Sequence, residues 1–325
     1  MPLKIPAVAL FVVTLALAGA APAQDAGEFS DWLIKLKAEA TTSGIRPQTL
    51  AAALDGVQLI PRVIELDRSQ PEFTLTFDEY LMRVVPERRV ETARRLYAEN
   101  RPILEEIGKK FGVQPRFIVA LWGIESDFGR ITGGFSVVPA LVTLAYDGRR
   151  SAYFRAELLN ALRIIDAGHI TADRMKGSWA GAMGQSQFMP SSFLNFAYDH
   201  DGDGRKDIWT SLPDIFASTA NYLSRSGWHG DEISARRVAL PAGLDVDLEG
   251  LKTVKSLGDW QALGVRRHDG SDLPPAKMEA SLLKPAGADG PAFLVYSNYR
   301  TILKWNRSHY FAVAVGHLAD RIIGM

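Results

Sequence analysis

The alternation of apolar and polar positions along the chain is mostly helical in period. Glu28 to Ala40 carries apolar residues at helical spacing. Thr76 and Glu79 stand in the relation of a capping box, so a helix begins after Thr76, and Pro86 stops it. Pro86 to Asn100 predicts another amphipathic helix, and Pro102 to Phe111 a third, closed by Gly112. Gln114-Pro115 opens the helix that runs through Phe117–Gly129, FIVALWGIESDFG, an almost uninterrupted apolar stretch. Gly129 to Asp207 is glycine-rich at both ends, with a helix at Ala152–Ala167 between them. Leu212-Pro213 begins a further helix, Asp214 to Arg225, closed by Gly227. From Asp231 to Phe293 the texture changes to dense Gly, Pro and Asp with short apolar runs at Arg237–Leu240 and Ala292–Tyr296, which predicts a small β-containing insertion. Helical pattern returns at Asn298, and Tyr310 to Ile323 is nearly all apolar and therefore expected to be buried, with His317 a hydrogen-bonded core residue. The chain contains no internal repeat and no low-complexity tract.

The amino terminus reads as a signal peptide. Lys4 is a short basic region, Val8 to Ala18 is apolar, and Ala21-Pro22-Ala23 offers small residues where a signal peptidase cuts, leaving Gln24 first. Even from Ile5 to Ala21 the apolar run is shorter than the ~20 residues a spanning helix needs, so no transmembrane segment is expected in the mature form. With 325 residues and 47% hydrophobic content the chain is long enough for a sizeable core. Its 37 basic and 37 acidic residues cancel, which argues against nucleic acid as a partner, and no basic cluster suits a membrane surface. Cysteine is absent, so disulfides, thiolate metal sites and lipid attachment at a cysteine are excluded.

The candidate chemistry starts at Glu125, a carboxylate presented at the end of that apolar run. Loss of hydration disfavours its charged form and raises its pKa, which is what a general acid needs to hold a proton near neutrality. Protonation of a glycosidic oxygen is the commonest use of such a group. The segment Gly177–Ser192, GSWAGAMGQSQFMPSS, mixes small residues, amides and aromatics and cannot be a regular helix or strand. Its Gln and Ser side chains suit sugar hydroxyls, and Trp179 and Phe188 offer faces for pyranose rings. Next, Asp199, Asp201 and Asp203 followed by Gly204 form the DxDxDG opening of a calcium loop. Arg205 would supply a backbone carbonyl and Asp207 a further oxygen; Thr210 replaces the bidentate Glu, and Asp214 is the candidate to close the shell instead. HExxH, GxSxG and P-loop patterns are absent.

Four ordered segments resemble the membrane-bound lytic murein transglycosylase B family: Glu125–Gly129, Gly181–Ser192, the acidic loop followed by Ala217–Trp228, and Asn306 with Ser308 and Tyr310. The resemblance covers nearly all of the mature chain. It implies a mainly α, lysozyme-like helical core that cleaves peptidoglycan glycan strands between N-acetylmuramic acid and N-acetylglucosamine without water, leaving a 1,6-anhydromuramyl end. It also implies one structural Ca2+ loop and no organic cofactor. Carried over by motif, Glu125 matches the sole acid/base, while Ser178, Gln187, Phe188, Tyr222, Asn306 and Tyr310 match the substrate cleft. Tyr80, Arg149, Arg150 and Tyr153 resemble residues lining the glycan subsites. Trp305 stands where the family often has Tyr, which keeps an aromatic platform and removes a hydroxyl. The missing lipidation cysteine implies a soluble periplasmic form. The expected division is a signal peptide over 1–23, an N-terminal helical region over 24–112, a catalytic core over 113–230, the insertion over 231–296 and helices returning to the core over 297–325.

The residues themselves favour the same chemistry. Hydrolytic glycosidases use two carboxylates, about 5–5.5 Å apart for retention and roughly 6.5–9.5 Å for inversion. Here the only acid close in sequence is Asp127, two residues along a helix, so the two side chains diverge. One acid without a partner fits a reaction in which the muramyl C6 hydroxyl captures C1 and the N-acetyl carbonyl assists. Two alternatives remain from sequence: a goose-type muramidase that admits water, and a non-catalytic peptidoglycan-binding protein using the same groove.

Overall fold

The computed structural model describes residues 23–69 and 75–324, with side chains from residue 27 onward. The leader expected over 1–23 lies outside these residues apart from Ala23. By internal packing the chain forms two units, residues 1–44 and 45–325. In the first, helix α1 (Ala23–Thr42) stacks Phe29 on Trp32, and Thr41 and Thr42 turn their hydroxyls back onto the carbonyls of Lys37 and Ala38 where it ends.

The second unit opens with α2 (Pro47–Leu54) and α3 (Pro61–Arg68), each started by a proline whose missing N–H is no loss in a first turn. Helix α4 (Phe77–Val84) has the expected capping box: Thr76 Oγ1 accepts from Glu79 N, and the Glu79 carboxylate accepts from Thr76 N at 2.8 Å. Helices α5 (Glu87–Glu99) and α6 (Arg101–Phe111) follow, and Gly112 closes α6 in the left-handed region. Then comes α7 (Pro115–Ser126), apolar on every face and buried along most of its length. A short antiparallel pair, β1 (Phe135–Ser136) and β2 (Lys176–Gly177), brackets α8 (Val137–Tyr146) and α9 (Ser151–Asp166). Helices α10 (Pro190–Phe196) and α11 (Leu212–Arg225) complete this part. The sequence pattern did not predict α8, α10 or the β1–β2 pair. Helix α8, VVPALVTLAY, is buried almost throughout, so it carries no polar stripe to reveal its period.

Strands β3 (Ala235–Ala239), β4 (Lys255–Ser256), β5 (Arg266–Arg267), β6 (Glu279–Leu283) and β7 (Ala292–Val295) form one antiparallel sheet in the order β4-β6-β7-β3-β5. The two apolar runs anticipated there are β3 and β7, paired with Arg237 opposite Phe293. A short helix, α12 (Leu257–Ala262), lies against the sheet through Leu257 and the buried Trp260, whose indole donates to Ala280 O at 3.0 Å. Strand alternation divides the sheet between two cores. Leu283, Phe293 and Val295 join the helical core, while Ala280, Leu282, Ala292 and Leu294 face Trp260. Both faces are therefore covered, which is why these strands read as continuous apolar runs. Helices α13 (Ser297–Trp305) and α14 (His309–Ile322) return the chain to the helical core, where α14 packs on α7, α5 and α4. His317 differs from expectation: it is exposed on α14, because the buried stripe runs through Val313, Ala314, Val315 and Leu318. No helix of the described residues is long and apolar enough to cross a membrane.

How α7 stops decides what it presents. Asp127 and Phe128, neither of them glycine, both take left-handed backbone conformations (φ 50° and 60°). Phe128 thereby folds back over the helix and meets Trp122 edge to face at 5.3 Å. The space it fills is that of an absent side chain: a Cβ on Gly123 would lie 2.7 Å from the Phe128 ring. Glycine to alanine inside a helix ordinarily stabilises by about 1 kcal/mol. Gly123→Ala is expected to reverse that sign and destabilise by about 1–3 kcal/mol, as overpacking does. Urea unfolding of the variant measures the sign directly.

Candidate active site

Glu125 is the penultimate residue of α7. Its residue keeps partial access to solvent, yet surrounding protein desolvates the carboxyl and pushes its pKa up to about 7. The opposing influence is a single hydrogen bond: the Trp305 indole Nε1–H, at the end of α13, donates to Glu125 Oε1 at 2.7 Å. Burial wins. Asp127 is turned away into arginines: Arg89 Nε approaches Oδ1 at 3.2 Å, Arg130 Nε approaches Oδ2 at 2.7 Å, and Arg88 stands 3.8 Å off. Burial alone would raise the Asp127 pKa, but the hydrogen bonds from Arg130 and Arg89 outweigh it and hold the carboxyl below its ordinary value. The divergence of the two acids expected from helical spacing is thus present, and one of them is neutralised locally.

Trp305 is held by rings. Tyr222 from α11 packs on it at 4.6 Å and Phe188 at 5.2 Å, while the Tyr222 hydroxyl donates to Lys304 O at 2.8 Å. Phe188 is 2% exposed and Tyr222 8%. The pyranose face expected of Phe188 is therefore covered in this structure, and both rings form the wall behind Trp305, which itself is partly open. Tyr80 on α4 and Tyr310 on α14 meet at 5.5 Å, and Phe77 supports Tyr310 edge to face. The Tyr80 phenol is raised by burial and then by the Glu125 charge, which places it within electrostatic reach of the acid. Asn306 is exposed, and its Oδ1 accepts from Ser308 N at 3.0 Å, shaping the turn into α14.

The 177–189 loop is pinned to α7 by residues that the sequence pattern did not single out. Gln185 Oε1 accepts from the Trp122 indole at 2.7 Å, and its Nε2 donates to Trp209 O at 2.8 Å. Gly184 is required there, because a Cβ would lie 2.6 Å from Ile208 O. Gln187 has φ 48° and donates to the carbonyls of Thr132 and Gly184, and Ser178 Oγ accepts from Ala182 N at 3.0 Å. The sequence signal for Gln185 was present, an amide in a segment dense with amides, but which amide faces inward is a tertiary fact. Arg149 and Arg150 gather at the turn into α9 around the fully buried Asp67, and Tyr153 beside them is 47% exposed.

In the acidic loop the carboxylate oxygens of Asp199, Asp201 and Asp203 come within 4.8 Å of one another. Backbone N–H groups of Gly202 and Gly204 donate to Asp199, and that of Asp203 donates to Asp201. Such a set of hard oxygens fits Ca2+. Arg205 lies close with its guanidinium on Asp203 Oδ2 at 2.9 Å. Asp207 is engaged elsewhere, accepting from the backbone of Trp209 and Thr210. The buried Asp214 accepts from His200 N at 2.7 Å and Asp207 N at 2.8 Å, so its carboxylate braces the two ends of the loop. Desolvation raises its pKa against those two bonds.

Residues 28–320 match the family described as Transglycosylase SLT domain. The crystal structure of SltB3 from Pseudomonas aeruginosa in complex with NAG-anhNAM-pentapeptide is 46% identical with a TM-score of 0.89, covering 91% of this chain and 80% of that one. The Escherichia coli lytic transglycosylase Slt35 in complex with calcium is 28% identical with a TM-score of 0.75, covering 92% of each. Membrane-bound lytic murein transglycosylase B of Escherichia coli (strain K12) is 34% identical over 220 residues, which are 65% of this chain and 58% of that protein. The mainly helical, lysozyme-like architecture is the one these lytic transglycosylases share. The chain belongs to the transglycosylase SLT domain family.

The raised pKa of Glu125 has a consequence for stability. The native state holds this proton up to about pH 7, whereas the unfolded chain releases it near 4.5. The native state therefore binds more protons across that interval, and stability falls as pH rises from about 4.5 to about 7. Glu125→Gln has no charge to desolvate. It is expected to be more stable than the wild type at pH 8, by about 3 kcal/mol, and equal to it at pH 4. Urea unfolding at the two pH values checks this.

Proposed function

We propose that the protein is a lytic transglycosylase acting on peptidoglycan glycan strands in the periplasm, with Glu125 as its single acid and base. The observation that carries this reading is the environment of Glu125: a desolvated carboxyl at a partly open position, with Asp127, the nearest acid in sequence, committed to arginines. Protonated Glu125 donates to the glycosidic oxygen as that bond to the muramyl C1 breaks, and positive charge builds at C1. The carboxylate left behind takes the proton of the muramyl C6 hydroxyl, whose oxygen forms the new bond to C1. Atoms balance without water, and intramolecular capture has the advantage of proximity. The protonated acid is regenerated. Trp305, Tyr80 and Tyr310 are the aromatic surfaces proposed to face the sugars, with Asn306, Ser178 and Gln187 the polar groups near them. Arg149, Arg150 and Tyr153 are proposed for a more distant part of the glycan.

Mass spectrometry of muropeptides released from purified sacculi tests the reaction. Products lighter by one water than reducing ends are expected from the wild type. Glu125→Gln is expected to release at least about a thousandfold less. Reducing ends would instead assign a muramidase, and release by neither protein would assign a binding role.

The acidic loop is proposed to hold one Ca2+ through Asp199, Asp201, Asp203 and the Arg205 carbonyl, with Asp207 and Asp214 shaping the loop. Trp209, just beyond it, is tied through Gln185 to Trp122 on α7, so an ion here would stiffen the support of the site. Addition of Ca2+ to chelator-treated protein is expected to raise the midpoint of thermal unfolding by several degrees. Asp201→Asn with Asp203→Asn is expected to abolish that increase.

A further inference from the structure

We propose that Trp305 is a positioning residue that assigns the two oxygens of Glu125 different tasks: Oε1 is held permanently as an acceptor, and Oε2 alone carries the proton that is given and taken back. This inference rests on the reading of Glu125 as the acid. It follows from the kind of donor that the structure places there. An indole N–H donates and never accepts. At 2.7 Å from Nε1, Oε1 presents a lone pair in both protonation states, and because the carbonyl oxygen of a carboxylic acid is a better acceptor than its hydroxyl, the acid form is favoured with its proton on Oε2. A hydroxyl at the same place would rotate, accept from a protonated oxygen, and leave the proton free to sit on either one.

The indole has little freedom to do otherwise. Tyr222 packs on it at 4.6 Å and Phe188 at 5.2 Å, Phe196 backs Tyr222 at 4.4 Å, and the Tyr222 hydroxyl is fixed on Lys304 O. These contacts give Phe188 and Tyr222 a purpose compatible with their burial: they aim Trp305. The consequence for the reaction is economy of motion. Oε2, left without the indole, is the oxygen that gives the proton, and the same oxygen is the free base when the leaving group has taken it. Oε1 keeps its hydrogen bond throughout, and that bond favours the carboxylate formed midway.

Other titratable groups around the acid do not duplicate this role. Tyr80 from α4 senses the Glu125 charge, and Tyr310 from α14 packs on Tyr80. Tyr222 from α11 is bonded to Lys304 O, His309 on α14 to the Tyr299 hydroxyl, and Asp127 to its arginines. Among the described residues, Trp305 is the group that hydrogen-bonds the carboxyl itself, at 2.7 Å.

The test replaces Trp305 with β-(3-benzothienyl)alanine, which keeps the size and shape of the ring and exchanges the N–H for sulfur. Trp305→Phe and Glu125→Gln accompany it. The Glu125 carboxyl is titrated by carbon-13 NMR in each folded protein, and turnover of purified glycan strands is followed against pH. Loss of the donor is expected to move the Glu125 titration, and the alkaline limb of kcat, upward by about one pH unit. It is expected to lower kcat about tenfold with KM changed less than twofold. An analogue that titrates and turns over like the wild type would overturn the proposal, as would an effect confined to KM, since either makes Trp305 a sugar platform only. If Glu125→Gln kept its activity, the assignment of the acid would fall whatever the analogue did.

Discussion

A carboxyl group can hold its proton near neutrality only where water is scarce, and it can react only where substrate arrives. As the proposed acid, Glu125 would meet both demands through its place near the end of a helix that is otherwise largely interior. The price of that placement is a charge that the protein must tolerate when the proton leaves. One hydrogen bond across 180 residues of sequence, from the Trp305 indole, meets it. Nearly everything else near the site can be read as support for one end or the other of that bond.

The acid's end is set by α7. Two successive left-handed residues, a glycine that makes room for Phe128, and three arginines around Asp127 stop the helix at a defined point. Strain of this kind persists only where surrounding contacts over-determine it. Gln185 adds a second restraint, joining Trp122 of α7 to the stretch that follows the acidic loop. A loop rich in carboxylates is thereby mechanically continuous with the helix that presents Glu125.

The donor's end depends on the sheet. The chain leaves the helical core after α11, builds five strands, and returns as α13 with Trp305 at its tip. Strands β6 and β7 place alternate residues into two cores, one shared with α7 and α14 and one with Trp260. That double burial fixes where β7 ends, and so where α13 begins. The insertion is in this sense part of the foundation of the candidate active site.

Much of this was legible in the amino-acid order because it is local. The capping box at Thr76, the glycine after α6, the prolines that open helices, the DxDxDG loop and the desolvated character of Glu125 each depend on residues a few positions apart. The change of texture at Asp231 and the apolar runs of β3 and β7 were legible for the same reason. What the sequence could not decide were matters of which face meets which. Helix α8 hid because it is apolar all round, and His317 fell outside the core because a few tens of degrees of helix rotation separate a buried position from an exposed one. Phe188 and Tyr222 share the composition of a sugar-binding surface, yet tertiary packing placed them behind Trp305. That an indole would reach the acid, and through which oxygen, was settled only when α7 and α13 came together, since a hydrogen bond between residues 180 apart has no periodicity to announce it.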